Sequence, residues 1–144
     1  MNSPNMKLKR ISFVLLSMLI CWPLSTCHKL KISRPPVVNY ESFHQLLKSG
    51  KPLIVEFGKK WYGPSMMTRD ALTKIWLKYR DKVNVCFVEA LKNEKLVNEC
   101  QVDFVPTTLI FNRKGEEIFR YVGQWKEEDI LKAIIKLGLI NQGK

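Results

Sequence analysis

An apolar run of strand length, Leu53 to Phe57, gives way within a few residues to Gly63-Pro64, where a proline is preorganised for the first position of a helix. A nearly continuous apolar strand is the signature of a strand buried on both faces. Leu53–Phe57 therefore belongs at the centre of a sheet with a layer on either side, and Glu56 is the one charge that interrupts it. The helix that follows presents Met67, Ala71 and Ile75 in one row, with Leu72, Trp76 and Tyr79 beside them, a stripe expected to face the core. The junction between the two elements reads Trp61-Tyr62-Gly63-Pro64-Ser65.

The other segments fit a layered α/β domain over residues 37–144. Val37-Val38 suggests a short edge strand. Asn39 is placed to cap a helix carrying Tyr40, Phe43 and Leu47, which Gly50 and Pro52 stop. Val83 to Val88 reads as a second central strand, and Asn93 as the cap of a short helix bearing Leu96, Val97 and Cys100. Thr107–Phe111 and Ile118–Val122 flank the turn sequence Asn112-Arg113-Lys114-Gly115, which predicts an antiparallel hairpin. An amphipathic helix over Lys126–Leu137, through Ile130, Leu131, Ile134 and Ile135, closes the chain. The order of these elements predicts a mixed sheet with helices on both faces. A chain of 144 residues with 46% hydrophobic content has material for one such core.

The first 27 residues read differently. Lys7, Lys9 and Arg10 precede an apolar stretch from Ile11 to Ile20 and then Pro23, the pattern of an export signal; the run is short for a spanning anchor, the alternative. Leu24-Ser25-Thr26-Cys27 resembles a bacterial lipoprotein box, although Thr26 stands where Gly, Ala or Ser is preferred. Cys27 is thus a lipidation candidate beside the simpler expectation of ordinary signal cleavage. Residues 28–36, ending in Pro35-Pro36, read as a tether. Both processing routes place the domain outside the cytoplasm, in the periplasm or anchored in the bacterial envelope. The formal net charge of +11 includes only three basic residues from the expected signal, so the remaining domain is still strongly basic and favours anionic surfaces such as lipid headgroups. The lysines are scattered and no nucleic-acid motif is present, so no nucleic-acid partner is expected.

Trp61-Tyr62-Gly63-Pro64-Ser65, Glu56 five residues before it, Val105-Pro106-Thr107 and Gly123 together resemble the thioredoxin family, over roughly Val37 to Leu139. The resemblance implies the thioredoxin fold, a buried carboxylate at Glu56, and a cis Val105-Pro106 bond facing the junction. It also implies a backbone at Val105 able to pair with an extended peptide. Tyr62 and Ser65 occupy the two positions where the family carries its redox cysteines. Exchange needs an attacking thiolate, so the site is expected to be catalytically silent, with Trp61, Tyr62, Gly63, Pro64, Ser65 and Glu56 as a vestigial motif. The family's lysine partner of the buried acid is matched by Phe87. Glu56 is therefore expected to be neutral, without a cation, and held by water or backbone.

Ser65 as a hydrolytic nucleophile would need a base, and the histidines, His28 and His44, belong to the tether and the first helix. Ser65 is expected instead to satisfy amides of the first helical turn. Strand alternation with the family's topology places Cys86 and Cys100 in the opposite layer, buried and structural, whether paired or free. No cysteine–histidine spacing suits a metal, and no cofactor is expected. What remains is a surface for a polypeptide partner: Trp61, Tyr62 and Trp125 as an aromatic floor, Lys59 and Lys60 as its rim, and Val105-Pro106 alongside. Three alternatives stand beside this reading. Tyr62 plugs the groove; the protein is a thiol–disulfide oxidoreductase or isomerase acting through Cys86, Cys100 or a partner's thiol; or the domain is purely structural. The oligomeric state is left open.

Overall fold

The computed structural model describes residues 34–141; the expected export signal, Cys27, His28 and most of the expected tether lie outside them. Four strands, β1 (Leu53–Gly58), β2 (Asn84–Glu89), β3 (Thr107–Phe111) and β4 (Glu117–Val122), form one sheet in the order β2-β1-β3-β4. β1 runs parallel to β2, while β3 is antiparallel to both β1 and β4. Helices α1 (Tyr40–Leu47), α2 (Gly63–Tyr79), α3 (Glu94–Glu99) and α4 (Glu127–Lys136) flank it, with a 3-10 turn over Ala90–Lys92. Among the described residues no helix is long and apolar enough to cross a membrane.

Strand alternation sorts the core into two layers. Ile54, Val85, Phe87 and Ile110 pack with Leu72 and Ile75 of α2 and Ile130 and Ile134 of α4. Leu53, Val55, Phe57, Cys86, Val88 and Leu109 pack on the other face with Phe43 of α1 and Leu96 of α3. All of β1 is buried, as a central strand requires. Asn39 caps α1 as expected, its side-chain oxygen accepting the Ser42 N–H at 2.9 Å. The β3–β4 hairpin turns where predicted, with Asn112 Oδ1 accepting the amides of Lys114 and Glu116 and with Gly115 at φ 80°.

Several local expectations are corrected. The edge strand at Val37-Val38 is a single bridge, Val37 to Phe87. At the end of the expected tether, Pro36 O accepts the Phe87 N–H at 2.9 Å and Pro35 is buried. In α2 Ala71, Leu72 and Ile75 are buried as expected, but Met67 is 58% exposed and the first turns bury Ser65 and Thr68 instead. Thr68 is buried at no cost in unmet polarity, because its hydroxyl donates to Pro64 O and accepts the Trp125 N–H. Asn93 heads α3, but its side-chain amide donates to Glu89 O instead of its oxygen capping the helix.

Trp125, expected in a surface floor beside Trp61 and Tyr62, is core: it is 3% exposed and stacked against Tyr121 and Phe119 at centroid distances of 4.8 and 5.5 Å. Its burial depends on the adjoining strand β4 and on Thr68 of α2, 57 residues away in sequence. Trp125→Ala is expected to lower unfolding free energy by about 3–5 kcal/mol in urea titration. A loss below about 1 kcal/mol would return Trp125 to the surface.

Candidate functional site

Strand register gathers the junction and the proline loop at one end of the sheet. Phe57 pairs with Thr107, Gly58 with Glu89, and Thr107 with Val122. The segments after β1, β2 and β4 and the segment before β3 therefore share one edge. Val105-Pro106 is cis, as expected, with Pro106 buried and Val105 half-buried. Pro106 O accepts the Gly123 N–H at 2.7 Å, and Gly123 itself sits at φ 105°, a conformation that favours glycine.

Tyr62 is the residue from which α2 starts: its carbonyl accepts the Met66 N–H at 3.0 Å, and its side chain makes no capping bond. Trp61 is 80% exposed and Tyr62 45%, so neither ring is buried in the sheet edge. The Lys60 ammonium lies 4.9 Å from the Trp61 ring centroid, and both Lys59 and Lys60 are exposed. Ser65 is fully buried, and its hydroxyl accepts the Lys59 N–H at 3.2 Å. Ser65 thus ties the loop before the helix, correcting the expectation that it serves amides of the helical turn itself. His44 lies in α1 and meets Glu99 of α3 at 3.1 Å, so it offers Ser65 no base.

Glu56 is fully buried and faces α2, but it has a cation after all. Arg69, one turn beyond Ser65 on α2, brings Nε to 2.7 Å from Glu56 Oε2, while Nη1 lies 2.5 Å from Glu89 Oε1 and Nη2 donates to Val88 O. Phe87, standing at the expected lysine position, lies under the guanidinium at 5.3 Å and contributes a π face instead of a charge. The other Glu89 oxygen accepts the Lys60 N–H at 3.0 Å. Arg69 and Glu89 were missed in the sequence because they meet across three elements. The available signal was an arginine beside the inner row of α2, together with acids in two neighbouring strands.

Burial pushes Glu56 up from 4.5 to about 7, outweighing the opposing pull of Arg69 and the Ser65 hydroxyl. Gly58 is the backbone that makes this cluster possible. A Cβ there would overlap Glu56 Oε1 and stand 2.5 Å from Ser65 Oγ.

Cys86 and Cys100 are free thiols on the opposite layer, Cys86 fully buried and Cys100 half-buried, less enclosed than expected. Burial raises both, helped at Cys86 by the neighbouring Cys100, and Cys100 reaches about 11 through burial and the carboxylates of Glu99 and Glu117. Neither is a thiolate at neutral pH. Among the described residues no group of His, Cys, Asp and Glu converges to hold a metal ion.

The family model described as thioredoxin matches residues 34–136. The chain belongs to the thioredoxin family. It is 30% identical over 96 residues to the chloroplastic thioredoxin Y of Oryza sativa subsp. japonica, covering 66% of this chain and 56% of that one. It is 31% identical over 98 residues to a bifunctional thioredoxin reductase/thioredoxin of Mycobacterium leprae, covering 68% of this chain and 21% of that one. The chain thus spans about half or less of these two relatives. Among solved structures, mitochondrial thioredoxin 3 of Saccharomyces cerevisiae superposes with a TM-score of 0.62 at 26% identity, covering 72% of this chain and 95% of that one. Chloroplastic thioredoxin z superposes at 0.66 with 18% identity, a likeness of fold alone.

Two outcomes follow for the thioredoxin domain. The folded state holds the Glu56 proton more tightly than the unfolded chain. The carboxyl's contribution is therefore greatest below about pH 4.5, declines as pH rises to about 7, and is level above that. The unfolding free energy of the wild type relative to Glu56→Gln should accordingly fall across that window, by about 1–3 kcal/mol in urea titrations; a flat difference, or a rise, contradicts a raised Glu56. Gly58→Ala should cost about 1–3 kcal/mol through overpacking, and a neutral substitution would mean that the carboxylate does not crowd the strand.

Proposed function

We propose that this thioredoxin-family protein does not exchange thiols and disulfides at its family site, and instead binds a polypeptide through the surface built on Trp61, Tyr62, Lys59, Lys60 and the Val105-Pro106 backbone. The observation that carries the reading is the absence of a sulfur at the start of α2. Tyr62 presents a phenol there and Ser65 a buried hydroxyl already engaged by the Lys59 amide, while the two described cysteines lie on the far layer as high-pKa thiols.

Support for binding comes from what the edge still presents. Trp61 and Phe104 are 80% and 69% exposed, and two lysines lie beside Trp61. Large exposed aromatics with cations at the rim suit an acidic or amphipathic peptide. We further propose that the domain works outside the cytoplasm, carried there by the export signal read in residues 1–27, with Cys27 as the candidate lipid attachment point.

Reduction of insulin by dithiothreitol is expected to run no faster with the protein present than in a buffer control. Tyr62→Cys combined with Ser65→Cys is expected to create measurable exchange, because a helix N-terminus lowers the pKa of a cysteine placed on it. Turnover by the wild type that disappears in Cys86→Ala or Cys100→Ala would replace the binding reading with the oxidoreductase one.

A further inference from the structure

We propose that the flank of Trp61 facing the Ala90–Lys92 turn is a docking cleft for an acidic polypeptide segment that inserts one large apolar side chain. The proposal rests on the peptide-binding reading above and moves its centre to the other side of the junction. β2 and β3 lie on opposite sides of β1, so the turn after β2 and the loop before β3 flank Trp61 from two directions. The cleft on the β2 side, about 560 Å³, lies between Lys59–Tyr62 and the segment of Glu89, Leu91 and Lys92.

Its floor is apolar and open. Leu91 is 79% exposed and Trp61 80%, and such a cluster of large exposed side chains marks a contact surface. Its rim is cationic. Lys59, Lys60 and Lys92 are all exposed, and among the described residues none is ion-paired with a carboxylate. The acid lining the cleft, Glu89, is ion-paired with Arg69 through one oxygen and accepts the Lys60 amide with the other.

The walls are preformed. Asn93 closes the turn with N–H to Ala90 O at 3.3 Å and Nδ2–H to Glu89 O at 2.9 Å, and the opposing loop is tied through Ser65. Concavity decides the class of partner. A flat anionic surface engages protruding side chains, whereas a cleft between two fixed loops accepts an inserted one, and carboxylates flanking that side chain meet the lysines.

The test is selection of a short random-sequence peptide library displayed on phage against the full chain, followed by affinity and amide-shift measurements on the enriched peptides. Enriched peptides should carry Asp or Glu beside a large apolar residue and shift the amides of Glu89–Lys92. They should also bind Leu91→Ala/Lys92→Glu about tenfold more weakly or worse, and lose affinity as salt rises. Both residues are exposed, so the variant is expected to melt with the wild type, and the melt is measured alongside. Enriched peptides that shift only Val105 to Gly123 and ignore the double substitution overturn this cleft while leaving the Val105-Pro106 groove standing. Failure to enrich, enrichment of basic or neutral sequences, or tight binding only to vesicles of anionic phospholipid overturns it outright.

Discussion

A carboxylate in the middle of a central strand is the constraint around which this end of the molecule is arranged. Removing Glu56 from water costs several kcal/mol unless a partner offsets it, and the partner must come from the layer it faces. Arg69 of α2 reaches it, and because a guanidinium is a planar fork of donors, the same side chain also engages Glu89 at the end of the neighbouring strand. Glu89 then holds the Lys60 amide, and Ser65 the Lys59 amide. One buried carboxyl group and the arginine that meets it thereby connect the strand end, the helix and the loop that carries Trp61.

This arrangement also accounts for what the surface can do. The loop before α2 is held from beneath by polar side chains and not by a sulfur bridge, so its outer residues are free to be aromatic and basic. Trp61 and Tyr62 are presented at a helix start, with Tyr62 and Ser65 standing at the two ends of the Tyr62-Gly63-Pro64-Ser65 motif. Ser65 and, through Glu89, Arg69 supply the ties that hold the loop. A binding surface on a rigid mount is the functional meaning we attach to that geometry.

Much of the fold could be read directly. The apolar run of β1, the Asn39 cap and the Asn112–Gly115 turn are local signals, each depending on residues within a few positions of one another, and each recurs in the structure. The cis Val105-Pro106 bond followed from the family resemblance. The inner row of α2 was misjudged because its first members are Ser65 and Thr68, polar residues buried by specific hydrogen bonds that no periodicity reveals. Trp125 was misplaced for a similar reason: its partners Phe119, Tyr121 and Thr68 come from two other elements. Arg69 was overlooked because the expected cation was sought on β2, where Phe87 stands, and not on the helix above it.

The Glu56–Arg69–Glu89 network positions the loop carrying Trp61. Amide hydrogen exchange at Lys60, compared between the wild type and Arg69→Met under conditions where both remain folded, tests this most directly. The Lys60 amide is expected to be protected in the wild type and its protection reduced by about tenfold or more in the variant, a loosening of roughly 1.4 kcal/mol. Equal protection in the two proteins would contradict it, and would mean that the loop holds its shape without the buried charge.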